Sequence, residues 1–131
     1  MLSSASVTAN IPAADLDRAR SFYADRLGMT PAAEVPEGGM LIYRTGGGTT
    51  FSVYKTEFAG QAGHTIAQFH VDDVRGEARA LQSKGVTLET YDMPGVTWDD
   101  GVADLGGMGQ AAWFKDSEGN ILCIDSGYPE G

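Results

Sequence analysis

Apolar positions alternate and recur along this chain in a way that predicts the same set of elements twice. "VTANIPAADLDRARSFYADRLGM" begins as a strand, offers Asp15 as an N-cap, and continues with Leu16, Ala19, Phe22, Tyr23 and Leu27 at helical spacing before Gly28 stops the helix. A shift of 58 residues gives "TIAQFHVDDVRGEARALQSKGVT": another strand, Asp73 at the cap, a stripe of Val74, Ala78 and Leu81, and a stop at Gly85. A second echo runs at an offset of 71, where "YRTGGGTTFSVY" and "FKDSEGNILCID" align without gaps as aromatic, basic, turn, then apolar strand. Tyr43 matches Phe114, Phe51 matches Leu122, and Ser52 matches Cys123.

These echoes predict one α+β domain over residues 1–131 made of two βαβββ modules, the first over about 5–58 and the second over about 63–127. The offsets differ by thirteen, which places extra residues in "YDMPGVTWDDGVADLGGMGQ". Its Gly, Asp and Pro content reads as a long loop carrying Trp98, with a lid or an interface as the expected role of that tryptophan.

Charge and composition narrow the partners. Eighteen acidic against nine basic residues give a formal net charge of −9, and no basic stripe is present, so nucleic acid is not an expected partner. No apolar run approaches the roughly 20 residues of a membrane helix, and the N-terminus lacks the basic and apolar regions of a signal peptide. A single cysteine makes no internal disulfide. Together these predict a soluble cytoplasmic protein without a membrane partner. "RTGGGTTF" lacks the helix and GK[ST] of a phosphate loop and reads as a hairpin turn.

The segments "IPAADLDRARSFYADRLGM", "FHVDDV", "ALQSKGV" and "WFKDSEGNILCI" resemble the vicinal oxygen chelate superfamily, which includes glyoxalases, bleomycin resistance proteins and extradiol dioxygenases. The resemblance runs from about Val7 to Ile124. It implies modules whose mostly antiparallel sheets curve into a cup, helices outside and a cleft inside, commonly completed in a homodimer. It also implies metal ligands, His or Glu, at positions that here are Thr8, Ser52, Ile66 and Cys123. None is the usual ligand type, and the isoleucine has no donor atom. His70, Cys123 and Asp125 are the residues from which a site could be rebuilt; neither a metal nor another cofactor is expected.

Strand parity then selects the residues facing the cleft. Asn10 and Pro12 go with Thr8; Gln68 and His70 go with Ile66; Ser52 and Tyr54 share a face, as do Cys123 and Asp125. The expected ligand-binding set is Asn10, Ser52, Tyr54, Gln68, His70, Trp98, Trp113, Cys123 and Asp125. His70 is the candidate for polar recognition or proton transfer, unless it only pairs with Asp72 or Asp73. Cys123 reads as a buried small hydrophobe, a lining residue or a nucleophile, the last needing a nearby base. The set suits a small, partly aromatic molecule held without metal, as the resemblance to bleomycin resistance proteins implies. The alternative is a metal-dependent lyase or isomerase resembling lactoylglutathione lyase.

Overall fold

A computed structural model describes residues 1–127; the last four positions of the expected domain lie outside the described residues. Module one runs β1 (Ala9–Ala13), α1 (Leu16–Leu27), β2 (Ala33–Val35), β3 (Met40–Arg44) and β4 (Thr50–Lys55). Module two runs β5 (Thr65–His70), α2 (Val74–Ser83), β6 (Leu88–Glu89), β7 (Thr97–Asp99), β8 (Val102–Asp104), β9 (Gln110–Lys115) and β10 (Ile121–Asp125). The fold is α+β, with two mixed sheets ordered β1-β4-β3-β2 and β5-β10-β9-β8-β7, and with β6 pairing β9. Within each sheet the first strand lies parallel to the last, β1 with β4 and β5 with β10, while the remaining pairs are antiparallel. Among the described residues the modules keep separate sheets, so β1 and β5 are open edges.

Both helices start where their caps predict. The Asp15 carboxylate accepts from the Arg18 N–H at 3.0 Å and Asp73 from the Gly76 N–H at 3.0 Å, each such cap being worth about 1 kcal/mol. Gly28 ends α1 in the left-handed region at φ 70°, where side chains are strained. Ala19 and Tyr23 of α1, and Val74, Ala78 and Leu81 of α2, are buried in a core shared by both modules. Tyr23 packs on Tyr43 with ring centroids 5.5 Å apart, Tyr43 stacks on Phe51 at 5.0 Å, and Phe51 meets Phe69 of the other module edge-on at 5.9 Å.

The segment expected to be a loop is a correction. Residues 97–104 form the hairpin β7–β8, and Val102 and Ala103 are 3% and 0% exposed, so the insertion widens the second sheet. Its turn is Asp100-Gly101, both with positive φ. The apolar pair Val102-Ala103 was outnumbered by flanking Gly and Asp, which hid the strand.

The "DSEGN" turn ties the modules together. Glu118 accepts from the N–H groups of Ala14 and Asp15 at 2.9 Å, from Arg18 Nε at 2.7 Å and Nη2 at 3.0 Å, and from the Ser117 hydroxyl at 2.8 Å. Burial pushes this carboxyl up, but the Arg18 guanidinium, the Asp15 N–H and the Ser117 hydroxyl outweigh it and hold it at about 2. Asp116 accepts from the buried Tyr23 hydroxyl at 2.8 Å, and Asn120 Nδ2 donates to the Pro12 carbonyl at 2.8 Å. The linker also passes close by: at Gly60 (φ 75°) a Cβ would lie 2.6 Å from the Glu118 carbonyl oxygen.

Candidate functional site

Each helix covers one face of its sheet, and the opposite faces carry the polar candidates. In module one Ile11 and Ala13 enter the core, which turns Asn10 and Pro12 the other way. Asn10 stands opposite Ser52, whose buried hydroxyl donates to Asn10 Oδ1. Tyr54, opposite Pro12 and Met40, lies further along this face and is 36% exposed.

In module two the register aligns two rows of side chains, because residues directly opposite share a face. One row runs Trp98, Ala103, Ala111, Asp125, His70; the next runs Glu89, Trp113, Cys123, Gln68. Each row has an aromatic residue toward β7 and β9 and hydrogen-bonding residues at β5 and β10. Trp98 packs on Trp113 with centroids 5.8 Å apart, and Trp113 Nε1–H donates to the Thr65 hydroxyl at 3.1 Å. Trp98 therefore sits on a strand with a packing partner within its own sheet, which corrects the expectation that a loop carries it. Tyr91, 5.9 Å from Trp113 and edge-on to it, joins the same group. No periodicity marked Tyr91, which lies outside any strand.

One register detail differs from simple alternation. The β5–β10 ladder slips between Ile121 and Leu122, so Thr65 pairs with Ile121 while Ala67 pairs with Leu122. Ile66 is the extra residue and packs against the core, out of step with Gln68 and His70, with which parity had grouped it.

Asp125 organises the polar end. It accepts from His70 Nδ1–H at 2.5 Å, from Gln68 Nε2 at 3.0 Å and from the Gly127 N–H at 3.0 Å. A carboxylate only accepts, so this contact places a proton on Nδ1. The Asp125 side chain is 11% exposed against 49% for His70. Asp125, across the parallel ladder, is thus a partner of His70. Cys123, beside them, is 1% exposed; burial and then the Asp125 charge push its thiol up to about 12. A thiol this protonated and covered is no nucleophile at neutral pH.

A cavity of about 590 Å³ lies along the two open edges, β1 and β5. Asn10, Thr50, Ile66, Gln68 and His70 line it, with Thr45 and Gly46 of the first hairpin turn at one end. It brings Asn10, Gln68 and His70 to one space. Ser52 and Asp125 stand behind its lining as hydrogen-bond partners, whereas Tyr54, Trp98, Trp113 and Cys123 do not line it. Among the described residues no three His, Cys, Asp or Glu side chains converge as metal ligands would. Thr8, Ser52, Ile66 and Cys123 do not fit a divalent ion either, since they supply two hydroxyls, a hydrocarbon and a thiol held protonated.

The chain belongs to the glyoxalase/bleomycin resistance protein/dioxygenase superfamily, whose model matches residues 5–124. No curated protein matches it in sequence. Among solved structures it is similar to UcmS2, at 18% identity and a TM-score of 0.71 over 95% of this chain and 98% of that one. It is also similar to a bleomycin-binding protein complexed with bleomycin, at 20% identity and a TM-score of 0.69 over 95% and 99%. A third is the fosfomycin resistance protein FosX of Listeria monocytogenes, complexed with Mn(II) and a dihydroxypropylphosphonic acid, at 13% identity and a TM-score of 0.67 over 95% and 90%. At such identities the likeness is one of fold, and the fold accommodates both an organic ligand and a metal.

Proposed function

We propose that this glyoxalase/bleomycin-resistance-like protein binds a small, partly aromatic molecule without a metal, with Asn10, Gln68 and His70 supplying the hydrogen bonds. The observation that carries this reading is the residue set at the superfamily's ligand positions, Thr8, Ser52, Ile66 and Cys123, beside a cavity that is polar along one side. Trp98, Trp113 and Tyr91 offer flat apolar area on the same sheet face as Gln68 and His70. The protein works as a soluble cytoplasmic homodimer: Tyr54 and Phe58 expose 36% and 65% of their surface, apolar area that a second copy would cover. Among the described residues no helix is long and apolar enough to cross a membrane.

Elemental analysis of chelator-free protein, followed by calorimetric titration with zinc, nickel, manganese and iron, tests the metal-free reading. The expected result is no stoichiometric metal; one equivalent bound would put the lyase or isomerase reading in its place. A fluorescence screen of aromatic compounds follows, with quenching of Trp113 and Trp98 as the signal. Gln68→Ala is expected to weaken a hit about fivefold, the worth of one net hydrogen bond.

The His70–Asp125 pair supports a second reading, in which His70 moves a proton. Exchange of a bound carbonyl compound's α-hydrogen for deuterium, lost in His70→Asn, checks it; no exchange leaves binding alone.

A further inference from the structure

Behind β5 lies a second, apolar pocket of about 170 Å³. Leu81, Phe114 and Ile124 form its buried wall, and the exposed Glu77, one turn before Leu81, is its charged residue. Three residues, Met29, Phe69 and Val71, line both this pocket and the 590 Å³ cavity.

The geometry of an edge strand explains how one molecule reaches both. On β5, Gln68 and His70 point to one side and Phe69 to the other, with Val71 continuing that alternation just past the strand. A central strand would be walled in by neighbours on both sides. Among the described residues β10 is the one strand paired with β5, so no second strand of the sheet separates its polar side from its apolar side. Met29 follows the Gly28 turn, its N–H held by the Tyr23 carbonyl at 2.8 Å. Its unbranched thioether side chain is well suited to reshaping around a guest.

We propose that the ligand is amphipathic: a hydrogen-bonding head at Asn10, Gln68 and His70, and an unbranched apolar tail that crosses the β5 edge past Met29 into the Leu81 pocket. This deepens the proposed function and rests on the larger cavity being the ligand site. The head is matched by a group that both donates and accepts, such as a carboxamide. The tail is matched by hydrocarbon, since the pocket's buried walls present no hydrogen-bonding side chain.

The test is a series of straight-chain primary amides from butanamide to decanamide, titrated into the full-length protein by calorimetry. Affinity is expected to rise about fourfold per added methylene until the tail fills the pocket, then level off. Leu81→Trp fills the pocket and should return the long amides to the affinity of the short ones. Leu27→Phe, at the half-buried rim, should shorten the chain length at which affinity levels off, and remains informative if the Leu81 variant fails to fold. Gln68→Ala should weaken every member by a similar factor. Affinity independent of tail length, a length dependence unchanged in both filled variants, or no binding of any amide would each overturn the inference. So would a change of oligomeric state in the Leu81 variant at unchanged slope, which would assign the pocket to a partner side chain. None of these results removes tryptophan quenching by aromatic compounds, so the broader binding reading stands or falls separately.

Discussion

The two hairpin turns, 45–49 and 116–120, occupy the same place in their modules and do different work. Turn one closes on itself: the Thr45 N–H donates to the Thr49 carbonyl at 2.9 Å, the two threonine hydroxyls bond each other, and Gly46 to Gly48 are exposed. Turn two buries Asp116, Glu118 and Asn120, and reaches α1, the β1–α1 junction and Pro12. A repeated frame thus carries a cavity rim in one copy and an inter-module tie in the other. Polar residues in a turn are therefore no guide to a ligand site until their partners are known.

The largest difference is expected between Glu118→Ala and its counterparts in turn one. Removing this carboxylate strands two part-buried N–H groups and the half-exposed Arg18, and about 2–3 kcal/mol should be lost in urea unfolding. The same tie is pH-dependent. The folded carboxyl sits at about 2, below its ordinary 4.5, so its contribution is complete above pH 4.5 and is lost as pH falls toward 2. Wild type and Glu118→Gln, followed by thermal unfolding, should converge through that window; a constant gap would break the assignment. Tyr23→Phe leaves Asp116 without one buried donor and should cost about 1–2 kcal/mol, read from the same urea midpoints. In turn one, Gly47→Ala meets no atoms and pays only for its φ of 77°, about 1 kcal/mol. Thr49→Ala, at an exposed position, should stay within about 0.5 kcal/mol, and a larger loss would mean that turn one is also a tie.

Much of the frame was legible because it is written in local periodicity. The stripe from Leu16 to Leu27, the caps Asp15 and Asp73, and the two matched hairpins all reduce to spacing and side-chain type. What escaped depends on long-range pairing. The slip at Ile66 follows from how β5 meets β10, and the hairpin at Val102 from burial against the rest of the sheet. His70 and Asp125 lie 55 residues apart; parity offers both for a rebuilt site, but their direct hydrogen bond follows from the parallel register of β5 with β10. Likewise Glu118 read as turn polarity, because its partners stand about a hundred residues earlier in the chain.

Gly46 ends up useful for a reason unrelated to folding. A Cβ there would meet no atom within 4 Å, its backbone needs no left-handed angle, and it borders the large cavity. The native thiol at Cys123 is covered and stays protonated. In Gly46→Cys the new sulfur would therefore be the one that takes an environment-sensitive dye under native conditions. The protein would then carry its own optical sensor at the cavity mouth, able to screen compound libraries before any ligand is named.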